Sequence, residues 1–190
     1  MADDIQAGLC PDDRLMAGVE AARDGDETGL AHIEALIGEY PSDPRLHFMR
    51  GSMLAGLKRY GEAHEAMGRA IDIAPGFAVA RFQLGLLQLS SGDAVAAETT
   101  WAPLHALPEE SSLRLFVVGL GHLIRDEFEA TITTLEQGIA LNTENPPMNR
   151  DMRLIIDGAR EKLGSSGDGD EATSSAHLLL QQYELKNTRH

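Results

Sequence analysis

Apolar residues along this chain fall at three- and four-residue steps, as in Met152, Ile155, Ile156, Ala159 and Leu163. That spacing lines one face of a helix. Long alternations of Val, Ile, Thr and Tyr bounded by turn residues are absent, so the pattern predicts helices and almost no strand. A longer period sits on top of the local one. Phe48, Phe82 and Phe116 lie 34 residues apart, and each is followed three positions later by a glycine: Gly51, Gly85 and Gly119. Pro41, Pro75 and Pro108 end successive blocks, and Asp24-Gly25-Asp26 and Gly92-Asp93 read as turns inside them. A fixed period of this length marks stacked units, none of which can bury its apolar face alone.

The clearest block is PRLHFMRGSMLAGLKRYGEAHEAMGRAIDIAP, residues 44–75. Gly51 is its small eighth residue, Tyr60 opens its second helix, and Ala63, Met67 and Ala70 form a small-x3-large-x2-small pattern. In this the chain resembles the tetratricopeptide repeat family. The unit at 44–77 is followed by one at 78–111, with Leu84, Gly85, Ala97, Trp101 and Pro108 at the marker positions. The next, 112–145, has Gly119, Phe128, Leu135 and Gly138, and departs at Thr131, where the family usually has alanine. A degenerate unit precedes them at 10–43, with Ala17 at the small position, Ile33 at the large one and Gly29 where alanine is usual. At 146–163 Arg153 falls on the small position, which predicts a capping helix whose inner stripe is the Met152–Leu163 set. The resemblance covers roughly residues 10–163. It implies an all-α fold, a right-handed α-solenoid of tetratricopeptide helix-turn-helix repeats with a C-terminal capping helix.

In this family the first helix of each pair faces a concave surface. The resemblance places Arg45, Phe48, Ser52, Ala55 and Gly56 on it in one unit, with Arg14, Gly18, Ala21 and Ala22 in the unit before. The cap adds Arg150, Leu154 and Asp157. The candidate protein-binding groove is the apolar set Phe48, Val79, Phe82, Leu86, Leu89, Leu113, Phe116, Leu120, Leu123 and Ile124. The competing reading is that these residues are core, because helices apolar all round are usually buried. Relatives that hold a C-terminal carboxylate use a clamp of Lys, Asn and Arg. Arg14 and Arg45 alone make a poor one, so an apolar helix or extended peptide is the expected ligand.

Charge narrows the partners. The 190 residues carry a net charge of -14, and residues 1–43 hold eleven acids against Arg14 and Arg23, a net of -9. Residues 1–9 read as an acidic extension. Such a field repels nucleic-acid phosphates and anionic membrane surfaces. It keeps the chain soluble, or it steers a basic partner. The start, MADDIQAGLC, lacks a basic segment followed by an apolar run, and no stretch of about 20 apolar residues could span a bilayer. Cys10 is the only cysteine, so no internal disulfide forms. A cytoplasmic location is expected.

No chemistry stands out. His-Glu-x-x-His, phosphate-loop and paired-cysteine motifs are absent, so neither cofactor nor metal is expected. Asp24-Gly25-Asp26 and Asp168-Gly169-Asp170 lack the spacing of a calcium loop. The expected function is that of a non-enzymatic adaptor that binds a protein or peptide. Alternatives are a chaperone for a secreted or assembling client, like those of type III secretion, or a regulatory subunit of a separately encoded enzyme. Residues 164–170, GSSGDGD, are a linker by composition, and 171–190 regain helical character with Leu178, Leu179, Leu180 and Tyr183. That tail has three readings: the second helix of a final pair, a plug for a groove in its own or a neighbouring chain, or a free motif. The second reading includes self-association.

Overall fold

A computed structural model describes residues 8–21 and 26–164. Among these residues the chain is all helix, with no strand. Four helical hairpins follow one another: α1 (Asp12–Ala21) with α2 (Asp26–Glu39), α3 (Pro44–Gly56) with α4 (Tyr60–Ile73), α5 (Ala78–Ser90) with α6 (Ala94–Trp101), and α7 (Ser112–Ile124) with α8 (Phe128–Leu141). A 3-10 turn, Ala102–Ala106, extends α6, and α9 (Pro146–Gly164) follows the last hairpin. No described helix is long and apolar enough to cross a membrane. The fold forms two compact units, Met1–Leu84 and Gly85–His190, divided within α5.

Every hairpin closes on a glycine that meets a large residue. A methyl group placed on Gly51 would lie 2.6 Å from Met67 Cγ and 3.1 Å from the Ala63 carbonyl. On Gly119 it would lie 2.6 Å from Leu135 Cδ2, and on Gly85 it would run into the Trp101 indole. Only a residue without a side chain lets the two backbones approach this closely. In the first hairpin the contact is Gly18, where a methyl would lie 2.6 Å from Ile33 Cδ1. This corrects the sequence register. Ala17, the residue 34 before Gly51, is exposed. The first helix of this hairpin is offset by one residue while Ile33, 34 before Met67, stays in register, and Gly18 packs inward instead of facing a groove. Thr131, the departure in the fourth hairpin, is fully buried and donates its hydroxyl to the Glu127 carbonyl at 3.0 Å, so the helix contact survives it.

The turns inside the hairpins repeat as faithfully. Lys58 (φ 61°), Gly92 (φ 88°) and Asp126 (φ 57°) occupy the left-handed region, 34 residues apart. At each, two backbone bonds cap the preceding helix: Lys58 N–H to Ala55 O and Arg59 N–H to Leu54 O, Gly92 to Leu89 and Asp93 to Gln88, Asp126 to Leu123 and Glu127 to His122. These paired bonds satisfy carbonyls that the helix end would otherwise leave open.

In the first unit Cys10, Ile33, Leu36 and Leu46 form a buried cluster, with Leu15, Tyr40 and Met49 against it. Asp43 locks it. Its side chain is fully buried, caps α3 by accepting from Arg45 N–H at 2.9 Å, and accepts from Cys10 N–H at 2.9 Å. In the second unit α9 packs on α8, and its Met152, Ile155, Ile156 and Ala159 are all buried, whereas Leu163 is half-buried. Asn142 and Asn149 tie the two helices: Asn142 Nδ2 donates to Asn149 Oδ1 and Asn149 Nδ2 to the Asn142 carbonyl, each at 2.8 Å.

Candidate binding surface

Six of the ten candidate groove residues lie inside the protein. Phe82, Phe116, Leu120 and Leu123 are 0% exposed, Leu89 2% and Leu86 6%. As a contact surface in this conformation these six are corrected to core. Phe116 shows the cause. It precedes Gly119 by three residues, which puts it only about 60° round the helix from the contact with α8. Its ring lies over Gly138, where a methyl group would come within 2.6 Å of Cδ1 and Cε1. The same register that repeats the glycine therefore carries the phenylalanine into the hairpin. Leu86 and Leu89 sit on α5, buried on most of its circumference together with Leu84, Gly85 and Leu87.

Phe48, Val79, Leu113 and Ile124 remain half-buried. In the first unit Phe48 meets Phe77 edge-to-face, ring centroids 5.3 Å apart at 62°. Such a pair is worth roughly 0.5–1.5 kcal/mol beyond its buried area. Phe77 was not among the expected residues, because it lies just before α5, outside the helical positions from which the groove was read. In the second unit Leu113 and Ile124 stand at the two ends of one α7 stripe, eleven residues or about three turns apart, with buried Leu120 between them.

Arg14, Arg45 and Arg50 of the first unit are committed. Arg14 forms a two-pronged pair with Glu39 at 2.6 and 2.7 Å and also donates to the Tyr40 hydroxyl. Arg45 bonds Asp43, Asp12 and the Cys10 carbonyl. Burial pushes the Asp43 carboxyl up, but Arg45 and the two backbone N–H groups outweigh it and hold the group below the usual carboxylate range. Arg50 pairs with Glu34 at 3.0 Å. A carboxylate clamp needs cations free to meet a ligand, and Arg14 and Arg45, the two on the first unit's expected inner positions, already hold internal acids.

Nothing among the described residues assembles a reactive centre. No group of three or more His, Cys, Asp or Glu side chains could hold a metal there. Cys10 is buried, and its thiol is pushed up chiefly by that burial, which disfavours the nucleophilic thiolate. At the α7–α8 turn His122, Arg125 and Glu127 contact one another, and the pairing, first with Arg125 and then with His122, lowers the Glu127 carboxyl to about 2. Leu178, Leu179, Leu180 and Tyr183 lie outside the described residues, as does most of the Asp24-Gly25-Asp26 turn.

No family model matches the chain, and no curated protein matches it in sequence. Among solved structures, the backbone is similar to that of MamA 41-end from Desulfovibrio magneticus RS-1. The two are 15% identical, the match covers 91% of this chain and 90% of that chain, and the TM-score is 0.58. At this identity the likeness shows the fold alone: an all-α solenoid of the tetratricopeptide type.

Proposed function

We propose that this chain is a non-enzymatic protein-interaction adaptor that takes an apolar helix or extended peptide. The observation that carries the reading is the repeat fold itself, whose first helices leave large apolar residues half-buried in each unit: Phe48, Met49, Met53 and Val79 in the first, Leu113, Leu115, Val118 and Ile124 in the second. Burying one such side chain contributes roughly 1.5–3 kcal/mol, so two or three supply about 3–9 kcal/mol before ordering costs. Phe48 and Phe77 supply a rigid aromatic anchor of the sort found at interface hot spots. The net charge of -14 favours a ligand whose apolar positions are flanked by Lys or Arg.

Selection from a displayed peptide library tests this. The expected binders are amphipathic or extended apolar peptides with basic flanks, and they lose affinity for Phe48→Ser and Ile124→Ser variants that melt like the parent. A selection that returns no binder sensitive to either substitution refutes the reading. Phe82→Ala and Phe116→Ala are unsuitable probes, since both rings are fully buried and their removal unfolds structure before it reports binding.

A further inference from the structure

The 34-residue period puts Arg153 where α3, α5 and α7 carry Gly51, Gly85 and Gly119. An arginine cannot enter that close contact, and it stands exposed on α9. There it lines a cavity of about 260 Å³ between α8 and α9, together with Glu136, Ile139, Ile156, Asp157 and Arg160. Ile156 is buried and Ile139 half-buried, so the two supply an apolar patch from facing helices. Arg153 and Arg160 are seven residues apart, nearly in line along α9 and about 10 Å apart by the helix rise, with Asp157 between them.

The charges of this cavity are unequally paired. Arg160 bonds both acids, Glu136 at 2.5 Å and Asp157 at 3.4 Å. Among the described residues no hydrogen bond or ion pair takes up the Arg153 side chain. Its positive charge is therefore left beside an apolar patch, a local reversal of sign in a chain of net charge -14. A guanidinium presents a planar fork that matches the two oxygens of a carboxylate. Size narrows the ligand further. The cavity equals the liquid volume of roughly nine waters. That is below the range of about 300–1,000 Å³ for sites of drug-sized ligands, too small for a nucleotide or a helix.

We propose that the α8–α9 cavity binds a small apolar carboxylic acid, branched or aromatic, with its carboxylate on Arg153 and its hydrocarbon body on Ile139 and Ile156. A free acid fits better than the C-terminal residue of a peptide. The peptide group next to a terminal carboxylate brings an N–H and a C=O that two isoleucines cannot pair. The cavity uses none of the residues of the proposed peptide surface, so either reading can fail without the other.

Titration of the full chain with isocaproate and with hydrocinnamate tests it, followed by the amide shifts of α8 and α9. The expected result is saturable one-site binding with a Kd on the order of 1 mM, within reach of so few ligand atoms. Isocaproamide lacks the charge, acetate lacks the body, and acetyl-alanyl-leucine carries the peptide group; each should bind about tenfold more weakly or worse. Arg153→Gln, at an exposed position, should melt like the parent and weaken isocaproate binding about tenfold, while Arg153→Lys, which keeps the charge but not the fork, should weaken it about threefold. Arg69→Gln removes a charge from the exposed surface of α4 and should leave the affinity unchanged. No saturation by either acid at about 10 mM overturns the proposal. So does equal affinity for the amide or for the acetylated dipeptide, and so does an affinity unaltered by Arg153→Gln.

Discussion

Replacing Asp43 by alanine removes an N-cap, the partner of the Cys10 amide and the main counter-ion of Arg45 in one step. Loss of one partner of a buried pair costs about 3–5 kcal/mol, so Asp43→Ala should lower the urea midpoint of the first unit sharply. Asp43→Asn keeps the shape but not the charge and should cost less. Acid follows the same logic. The Asp43 carboxyl titrates below its ordinary value when folded, so its contribution is full above the unfolded pKa and is lost as pH falls through the folded one. The Asn variant should therefore show a shallower loss of stability on the acid side, and parallel profiles would show that Asp43 is not a source of that loss. The close-approach glycines should also differ among themselves. Gly85→Ala meets the rigid Trp101 indole and should cost about 1–3 kcal/mol, more than Gly51→Ala, where the Met67 side chain can bend aside. Fluorescence of Trp101, the chain's single tryptophan, reads the first of these directly.

Among elements, the helix-to-helix turn is the most regular part of the molecule and was only partly visible in the sequence. Gly92-Asp93 announces itself, because glycine enters the left-handed region at little cost. Lys58 and Asp126 take up the same conformation without glycine, so composition alone did not mark them. Each carries a steric penalty of about 1–2 kcal/mol that the paired capping bonds outweigh. Lys58→Gly and Asp126→Gly should thus raise the melting temperature by a few degrees, about 0.5–1 kcal/mol after the entropy of glycine is subtracted. Gly92→Ala should lower it. An unchanged melt in all three would mean that the turns bear no strain. The one-residue offset at Gly18 was hidden for a related reason: Ala17 and Gly18 are both small, and only packing against Ile33 distinguishes them.

For the whole molecule, the all-helical fold followed from period and punctuation, because small and large residues repeat wherever backbones must meet. The binding surface was far less legible. Phe48, Phe82 and Phe116 are equivalent in the sequence, but Phe82 and Phe116 are fully buried while Phe48 keeps one face near water against Phe77. Periodicity says which residues share a helix face, and the width of the buried arc decides which of them the interior takes. The acidic charge has a consequence at this scale too. A basic-flanked peptide should associate more slowly as salt rises from low to physiological ionic strength, with dissociation little changed. The most direct measurement is the dissociation constant of a library-selected apolar peptide for the parent chain and for the Phe48→Ser, Ile124→Ser double variant with an unaltered melt. The account predicts at least a tenfold weakening, about 1.4 kcal/mol. Equal affinity for both proteins would contradict it.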